Sequence, residues 1–528
     1  MPQDQRPLST IYPVCHRLLP VALTGLDNPE TLPQILADHP ELIGRTPFLA
    51  DLARIESVCF QLHQRPSLIP ASVTTCTINP TLELIEVQWG RLPEFLGDQS
   101  LSPEPEPGMV LVYKHPHDHS VQIRTPGQDD LLALKIISEH LDSRILAAEH
   151  QVTPGQIDDI VYRGIQQGLL LAPPSTICRG PEFPHGTVTE PERFSAPTFT
   201  LQWHLTQTCD LHCRHCYDRS QRTEVSLDQG LRVLDDLYDF CRARHVFTQV
   251  SFTGGNPLLH PHFNELYQAA ADRGFMTAIL GNPMPRAQIE EILAIQKPVF
   301  YQVSLEGLET HNNYIRGSGH FKRTLAFLEL LKELQIYSMV MLTLTRANQG
   351  MVLELAGHLR GLVDRFTFNR LAMVGEGAAL ASAPTDDFSD FLEQYQEMAQ
   401  SNPHMGLKDN LFNLLRSRQG LELTGGCAGY GCGAAFNFVS LLPDGEVHAC
   451  RKFPSPMGNI FRENLAEIYD GPQAERYRSG PDECHDCDIR PLCGGCLAVS
   501  HGFGLDVFKK RDPYCFKDTG ICPEPIRT

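Results

Sequence analysis

Three closely spaced cysteines near the middle of the chain constrain its fold more than any other feature. Cys209, Cys213 and Cys216 are separated by three and then two residues. Three thiolates on one short loop can hold three irons of a [4Fe–4S] cluster, and the fourth iron is then left without a protein ligand. An open iron binds something else, which makes such a loop a reactive site. A zinc site is the alternative, because His212 or His215 could supply a fourth ligand.

The sequence on either side of this loop alternates between strand-like and helix-like segments. Strands are predicted at 199–204, 247–253, 275–280, 299–305, 337–345 and 365–371. Helices are predicted at 226–243, 286–296, 319–335 and 349–362. Strands that alternate with helices form parallel βα units, and these units indicate an incomplete (β/α)6 barrel. Functional residues of barrels gather at the carboxyl ends of the strands, which is where the cysteine loop falls.

The cysteine spacing, followed directly by Tyr217, resembles that of the radical S-adenosylmethionine (SAM) enzymes. The resemblance implies that the open iron chelates the amino and carboxylate groups of SAM. It also implies that an electron from the cluster cleaves SAM to a 5′-deoxyadenosyl radical. Cys209, Cys213 and Cys216 are then the catalytic cluster ligands, and Tyr217 belongs to the cofactor site.

Further stretches match motifs of the same family. Gly254-Gly255-Asn256-Pro257 is similar to the family's Gly-Gly-Glu-Pro turn, whose backbone binds the SAM amino group, with asparagine in place of glutamate. The backbone geometry of such a turn needs the glycines more than the side chain that follows them. Ser304 and Arg316 match a later family stretch and are implied to meet the SAM carboxylate or ribose. Arginine suits that task through its fork of hydrogen-bond donors.

A second group of cysteines lies in the C-terminal part of the chain. Its pattern is Cys427-x4-Cys432-x17-Cys450, then Cys484-x2-Cys487-x5-Cys493-x2-Cys496, then Cys515. This pattern resembles the SPASM extension of radical SAM peptide-modifying enzymes, which carries two auxiliary [4Fe–4S] clusters. The resemblance assigns Cys427, Cys432, Cys450 and Cys496 to one cluster, and Cys484, Cys487, Cys493 and Cys515 to the other. The family usually has three residues between the last two cysteines of the run, whereas Gly494-Gly495 makes two here. Two zinc ribbons are the alternative interpretation.

The N-terminal 200 residues carry no evident catalytic motif. Apolar residues at helical spacing predict a helix at 46–64. A Pro/Glu-rich stretch at 101–108 predicts a boundary. Strands at 109–113 and 120–124, and helices near 129–141 and 154–169, are expected after it. This order resembles the winged-helix leader-recognition element of ribosomal-peptide pathways, which binds a precursor's leader as an added strand. A winged helix that serves only for packing is the alternative.

These patterns predict an α/β protein with an incomplete (β/α)6 radical SAM barrel and a C-terminal Cys-rich SPASM extension. Its N-terminal region is expected to be mainly α-helical, with a winged helix. The predicted order is a helical N-terminal domain (1–100), a winged-helix, leader-recognition-like domain (101–172), a linker (173–198), a radical SAM partial barrel (199–375), a helical connection (376–426) and a SPASM auxiliary-cluster domain (427–528).

Composition and charge narrow the function classes. The chain has 528 residues, of which 42% are hydrophobic and 20% charged, as expected of a globular enzyme. Its net charge of −19 argues against a nucleic-acid partner. The stretch from Met1 to Thr10 shows no apolar signal segment, and no apolar run reaches the ~18 residues of a membrane span. We therefore expect a cytoplasmic protein that keeps its cysteines reduced and has no membrane partner.

The family resemblance implies a maturase that modifies a ribosomally synthesised precursor peptide by 5′-deoxyadenosyl-radical hydrogen abstraction. Its cofactors would be three [4Fe–4S] clusters and SAM, with a flavodoxin- or ferredoxin-type electron donor. Expected products are a thioether, a carbon–carbon crosslink, or a Cys-derived heterocycle of the kind made by thiazole- or selenazole-type maturases.

Two alternatives remain open at this point. Anaerobic formylglycine-forming sulfatase maturases share the cluster layout, but they carry Asp directly after the ligand that corresponds to Cys450, where this chain has Arg451. A non-catalytic iron–sulfur electron carrier or scaffold is the other. Such a carrier has no use for a SAM site, so the Gly-Gly-Asn-Pro turn and Arg316 argue against it.

Overall fold

The computed structural model describes residues 7–20, 29–44, 46–64 and 68–517. Its contacts divide the chain into two compact units, Met1–Pro174 and Ser175–Thr528. Residues 1–6 of the stretch expected to lack a signal segment, and residues 518–528 of the predicted SPASM domain, lie outside the described residues. Among the helices of the described ranges, none is long and apolar enough to cross a lipid bilayer.

The first unit combines α-helices with antiparallel strands. Its strands are β1 (Thr77–Ile78), β2 (Glu83–Val87), β3 (Gly108–Lys114), β4 (Val121–Arg124) and β5 (Leu170–Leu171). Its helices span Leu8–Ile11, Cys15–Leu18, Leu32–Asp38, Leu49–Gln64, Leu92–Gly97, Gln128–Ser138, Ser143–His150 and Pro154–Gln166. Strand β3 lies between β2 and β4 in one antiparallel sheet, and β1 pairs with β5.

Local sequence signals explain the main helices of this unit. Helix Leu49–Gln64 confirms the helix predicted at 46–64, and it buries Leu52 and Ile55 completely. Each such burial contributes about 1.5–3 kcal/mol. Helix Pro154–Gln166 begins after Thr153, whose hydroxyl accepts a hydrogen bond from the backbone N–H of Gln156. The side-chain Oε1 of Gln156 in turn accepts from the backbone N–H of Thr153. This capping box fixes where the helix begins.

The predicted boundary near residue 100 is corrected by the sheet. Strand β2, which the sequence did not predict, pairs residue by residue with β3, from Glu83 opposite Val112 to Val87 opposite Gly108. The Pro/Glu-rich stretch therefore belongs to the connection between two adjacent strands, and one sheet spans both predicted domains. Exposed loops and interdomain linkers share this composition, so composition alone could not separate them.

The second unit is built on a nine-stranded sheet. Its strands are β6 (Thr198–Thr206), β7 (Phe247–Gly254), β8 (Met276–Leu280), β9 (Phe300–Ser304), β10 (Ser338–Leu344), β11 (Arg365–Arg370), β12 (Phe438–Leu441), β13 (Glu446–His448) and β14 (Pro456–Asn459). The sheet order is β11-β10-β9-β8-β7-β6-β12-β13-β14, and β6 to β11 are parallel. The predicted partial (β/α)6 barrel is confirmed.

Helices cover the outer face of this sheet and continue into the C-terminal part. They span Leu227–Ala243, Phe263–Asp272, Arg286–Ile295, Glu309–Arg316, His320–Glu333, Val352–His358, Phe388–Gln400, Phe412–Arg418, Leu465–Asp470, Pro472–Ser479 and Leu497–Gly502. Trp203 on β6 and Phe252 on β7 are fully buried with ring centroids 5.9 Å apart. This packing holds the carboxyl ends of the neighbouring strands in place.

The C-terminal extension shares the barrel's sheet, which the sequence did not predict. Strand β12 pairs in parallel with β6, and β13 and β14 follow as antiparallel strands. The cysteine-rich region is thus anchored to the same strand that leads into the loop of Cys209, Cys213 and Cys216.

The predicted linker at 173–198 is largely an ordered strap, which we define as residues 175–197. Its side chains Phe183, Val188 and Phe194 are buried and form a cluster with Leu492. The backbone N–H of Thr187 donates to the carbonyl of Asp488 at 2.8 Å. The sequence suggested a flexible link because the segment is rich in Pro and Gly. Its few aromatic and aliphatic side chains instead pack against Leu492, next to Cys493.

Candidate active site

A cavity of about 490 Å³ lies where the parallel strands of the second unit end. Most of the residues predicted for SAM and its cluster line it: Cys209, Cys213, Cys216, Tyr217, Gly254, Gly255, Ser304 and Arg316. Asn256 and Pro257 follow the glycines and are buried. The cysteine loop and the Gly-Gly turn, which are far apart in the sequence, therefore meet at one site.

The two glycines are required by the close approach of the cysteine loop. Gly254 has a φ of +133°, and a Cβ there would lie 2.3 Å from the carbonyl oxygen of Thr206. A Cβ on Gly255 would lie 2.2 Å from the carbonyl oxygen of Thr208. The N–H of Gly255 donates to Thr206 at 2.8 Å, so the turn is fixed directly to the start of the loop. Only glycine fits such a position without displacing backbone.

Asn256 joins a polar network beside the first cysteine. Its Nδ2 donates to Oδ1 of Asp210 at 3.1 Å, and Nδ2 of Asn282 donates to the same oxygen at 2.6 Å. The Asn282 amide also lies 3.5 Å from Sγ of Cys209. The Oδ1 atom of Asn256 is buried and has no hydrogen-bond partner among the described residues. Asparagine thus fills the place of the family's glutamate as a neutral member of this network.

Arg316 is held in the cavity wall by a buried carboxylate that the sequence analysis did not single out. Its Nε and Nη2 donate to Oε1 of Glu306 at 2.9 and 2.6 Å. The same oxygen lies 2.8 Å from Nε2 of His215, and the other accepts from the N–H of Thr343 at 2.8 Å. The Nη1 of Arg316 lies 3.8 Å from Sγ of Cys213.

Glu306 is charged despite its burial. It is only 1% exposed, which by itself would raise its pKa, but His215 and Arg316 hold the pKa of this carboxyl well below its usual range. The carboxylate fixes the guanidinium in one orientation at the edge of the cysteine loop. The sequence signal that could have revealed it is a glutamate two residues after Ser304, at the carboxyl end of strand β9.

Tyr217 and His204 form a second buried contact under the loop. The Tyr217 hydroxyl lies 3.2 Å from Nε2 of His204, and the two rings meet edge to face. Burial, reinforced by nearby Arg451, lowers the pKa of His204 to about 3, so this histidine is neutral at physiological pH. Sequence reasoning missed His204 because a lone histidine inside a strand carries no motif.

The eight C-terminal cysteines separate into two groups in the structure. Cys427, Cys432, Cys450 and Cys496 line one small cavity of about 40 Å³. Cys484, Cys487, Cys493 and Cys515 line another of about 20 Å³. These are the two sets predicted from the family resemblance. Gly494 and Gly495, with φ of +66° and +60°, reverse the backbone between Cys493 and Cys496 and let them join different groups.

The chemistry of the donor sets fits iron–sulfur clusters. Each C-terminal group offers four thiols, and the loop in the barrel offers three. Nζ of Lys452 lies 3.9 Å from Sγ of Cys496, and Nζ of Lys517 lies 3.8 Å from Sγ of Cys487. Positive side chains beside buried sulfur suit an anionic metal–thiolate centre. No group of three described His, Cys, Asp or Glu side chains is arranged to hold a single metal ion.

The large cavity at the strand ends and the first C-terminal cysteine group share part of their walls. Asn369, Arg370 and Lys452 line both cavities. Arg370 is 3% exposed and is fixed by Asp409 at 2.7 Å and by a bidentate pair with Asp512 at 2.7 Å. The end of β11 therefore forms a common boundary between the two sites.

Arg451 also faces the large cavity at the strand ends. It follows Cys450 in the sequence, and its Nη1 donates to Oγ1 of Thr253 at 3.2 Å. A guanidinium therefore occupies the wall at the position where the sulfatase-type maturases carry an aspartate. An arginine side chain offers no hydrogen-bond acceptor.

Comparisons with protein families agree with this geometry. Residues 203–359 match the model of the radical SAM superfamily, and residues 432–488 match that of the SPASM iron–sulfur cluster-binding domain. The matched ranges contain the three-cysteine loop, the Gly-Gly turn and four of the eight C-terminal cysteines.

Several curated proteins are similar to this chain. An AdoMet-dependent heme synthase of Methanosarcina barkeri is 26% identical over 61% of this chain and 97% of its own length. The subtilosin biosynthesis protein AlbA of Bacillus subtilis is 26% identical over 55% of this chain and 65% of its own length. Mycofactocin maturase MftC of Mycobacterium ulcerans is 27% identical over 61% of this chain and 88% of its own length.

Among solved structures, Streptococcus suis SuiB bound to its precursor peptide SuiA is 17% identical and has a TM-score of 0.49. The match covers 78% of this chain and 96% of that one. The sequence comparisons lead to one conclusion: the chain carries a radical SAM domain and a C-terminal SPASM domain, which is an iron–sulfur cluster-binding domain by its family description.

Proposed function

We propose that this protein is a radical SAM maturase that modifies a ribosomally synthesised precursor peptide. The observation that carries the proposal is the shared cavity. The three-cysteine loop, the Gly-Gly turn and Arg316 line it, and its wall continues into the first C-terminal cysteine group. A simple electron carrier would have no use for a cavity of about 490 Å³ beside its cluster.

The residues of the cavity have distinct tasks in this proposal. Cys209, Cys213 and Cys216 hold the catalytic cluster, and the backbone of the Gly254-Gly255 turn receives the SAM amino group. Arg316, oriented by Glu306, meets the SAM carboxylate or ribose together with Ser304. When bound, the cluster and SAM supply a 5′-deoxyadenosyl radical that removes hydrogen from the peptide. The barrel wall orients the peptide and excludes water and oxygen.

Two auxiliary [4Fe–4S] clusters are part of the proposal, which brings the total to three. The separation of the eight thiols into two groups of four supports this number. The first group lies behind Lys452, which lines the SAM-binding cavity. A cluster there stands in a suitable place to take an electron from the modified peptide, or to pass one in from a flavodoxin- or ferredoxin-type donor.

Leader recognition is the proposed task of the first unit. Strand β4 is the last strand of its sheet and pairs with β3 on one side. Its other edge can add an extended peptide through backbone hydrogen bonds. Arg124 at the end of β4 is fixed by a bidentate pair with Asp130 at 2.6 and 2.8 Å, which holds the edge against helix Gln128–Ser138. The relatives named for subtilosin biosynthesis and mycofactocin maturation support a substrate of this class.

The formylglycine alternative has less support. Formylglycine-forming maturases carry an aspartate where this chain has Arg451. In this chain the Arg451 side chain faces the cavity. Because a guanidinium cannot accept a proton, the carboxylate of those enzymes has no equivalent at this position.

The test is anaerobic reconstitution followed by reduction in the presence of SAM and candidate leader-bearing peptides. We expect 5′-deoxyadenosine and a peptide whose mass has changed by loss of hydrogen. The variant with Cys209, Cys213 and Cys216 all replaced by Ala is the control, because it lacks the catalytic cluster. Product formation by that variant, or 5′-deoxyadenosine with no modified peptide from any leader-bearing candidate, would contradict the proposal.

A further inference from the structure

A buried arginine lies between the two C-terminal cysteine groups. Arg490 is 2% exposed, and its Nη2 donates to the carbonyl of Ser479 at 2.5 Å. Its Nε and Nη1 are buried and meet no hydrogen-bond acceptor in the described part of the chain. The backbone N–H of Arg490 donates to the carbonyl of Cys487 at 2.9 Å, and its carbonyl accepts from the N–H of Cys493 at 3.3 Å. The carbonyl of Cys493 accepts from the N–H of Cys432 at 3.0 Å, so Arg490 lies where the two groups meet. A buried guanidinium with two unused donors points to an anionic acceptor that occupies these cavities.

A second buried arginine comes from the strap. Arg179 donates from Nη2 to the carbonyl of Cys432 and from Nη1 to that of Arg478, both at 3.0 Å. Its guanidinium lies 3.9 Å from the ring centre of Phe436 and 4.5 Å from that of Phe183. Arg490 lies 4.7 Å from the same Phe183 ring, so one aromatic side chain of the strap contacts both cations.

Two guanidinium groups in one buried region repel each other and lose hydration. The aromatic rings offset part of this cost, because a cation over a ring face is stabilised. They do not replace a counterion. A [4Fe–4S] cluster held by four thiolates is an anion whose sulfurs accept hydrogen bonds. It therefore satisfies the charge of both arginines and the open donors of Arg490.

We propose that Arg490 and Arg179, here called the arginine pair, raise the reduction potentials of the two auxiliary clusters and link the strap to their redox properties. Reduction adds negative charge to a cluster, so nearby cations and hydrogen bonds to its sulfurs stabilise the reduced form more than the oxidised form. Arg490 acts on both clusters. Arg179 acts mainly on the cluster of the Cys432 group. This inference rests on the two auxiliary clusters of the proposed function.

The experiment is an EPR-monitored redox titration of the full chain in the background where Cys209, Cys213 and Cys216 are Ala, so that only the auxiliary clusters contribute. In Arg490→Gln, we expect both auxiliary couples to become harder to reduce. The reduction equilibrium should change at least tenfold, which is a shift of ~59 mV for a one-electron couple. Arg490→Lys keeps the charge but not the fork and should shift less. Arg179→Gln should shift mainly the couple of the Cys432 group.

Arg478→Gln is the matched control. Arg478 is also largely buried and bonds backbone carbonyls, of Ala435 and Tyr469, but it pairs with Glu475. Unchanged potentials in Arg490→Gln with both clusters loaded, or an equal shift in Arg478→Gln, would overturn the inference alone. If Arg490→Gln does not load iron, Arg490→Lys and Arg179→Gln decide, and unchanged potentials in both overturn it. Absence of auxiliary iron from the parent chain would overturn the proposed cluster content and the inference with it.

Discussion

Replacing Glu306 with glutamine is expected to weaken both the fold around the SAM-binding cavity and the affinity for SAM. The substitution keeps the shape of the side chain and removes its charge. Arg316, whose side chain is 12% exposed, then loses its buried counterion, while the contact of Glu306 with the N–H of Thr343 can persist through the amide oxygen. The perturbation therefore acts on the ion pairs of Glu306 with Arg316 and His215 rather than on packing.

The structure sets the size of the effect. Breaking a buried ion pair by removing the charge of one partner costs ~3–5 kcal/mol of unfolding free energy. Because the single amide oxygen of glutamine keeps the Thr343 contact, its N–H groups face Arg316, and we expect the upper end of this range, about 5 kcal/mol. A hydrogen bond from Arg316 to an anionic group of SAM is worth ~1.5–3 kcal/mol. If Arg316 loses its orientation, SAM should bind about 10- to 100-fold more weakly.

Two measurements check this prediction on the reconstituted protein: denaturant unfolding, and equilibrium dialysis with labelled SAM. Glu333→Gln is the matched control, since Glu333 also pairs with an arginine, Arg286, but is 63% exposed. We expect the control to change the unfolding free energy by no more than ~0.5 kcal/mol. Wild-type stability together with wild-type SAM affinity in Glu306→Gln would refute the role of Glu306 in holding Arg316.

The pH dependence has a definite sign. Because the pKa of Glu306 in the folded protein lies below its usual value of 4.5, its contribution is fully present above that pH and is lost as the pH falls further. The difference in unfolding free energy between wild type and Glu306→Gln should therefore be constant above about pH 5 and shrink below about pH 4.5. A difference that grows as the pH falls would contradict this assignment.

Three further predictions concern other parts of the molecule. Iron analysis of the reconstituted chain should give about 12 Fe, and about two-thirds of that in the variant with Cys209, Cys213 and Cys216 replaced by Ala, which should form no 5′-deoxyadenosine; stoichiometric zinc at the C-terminal cysteines would contradict the cluster count. Gly254→Ala should lower the unfolding free energy by ~2 kcal/mol or more and impair SAM binding. Residue 254 has a positive φ, and its added Cβ would lie 2.3 Å from a backbone oxygen. Gly350→Ala is the control and should do neither, because a Cβ there meets no atom within 4 Å. Deleting residues 1–174 should spare SAM cleavage but strongly weaken modification of leader-bearing peptide. Deleting residues 1–198 should also disturb the auxiliary clusters, because it removes the strap. Equal processing of leader-bearing peptide by the 1–174 deletion and the full chain would rule out leader docking.

Much of the second unit was predictable from the sequence because its signals are local. Apolar periodicity and turn residues placed β6 to β11, and four of the six helices between them, within a few residues of their observed bounds. Helices Phe263–Asp272 and Glu309–Arg316 were given no bounds. The alternation of strands and helices then implied parallel strands. The carboxyl ends of those strands had to carry the cysteine loop and the Gly-Gly turn, and the structure places both in one cavity.

The first unit was harder to predict because some of its strands depend on pairing with segments that are distant in the sequence. Strand β2 is short, and only two of its residues, Ile85 and Val87, face the core. Its identity as a strand depends on pairing with β3, which lies beyond the Pro/Glu-rich connection. Helix Ser143–His150 was missed because it is only 8 residues long.

The sequence by itself determined which cysteines and glycines are candidates to hold clusters and SAM, since thiol spacing, a Gly-Gly turn and βα alternation are encoded within short stretches. Only the tertiary structure decided which charged side chains lie against one another. Glu306 becomes the partner of Arg316 and His215, and the strap brings Arg179 to the ring that also contacts Arg490. Charged side chains carry no periodic signal, and their energies depend on burial and on partners hundreds of residues away. Those distances exist only once the chain has folded.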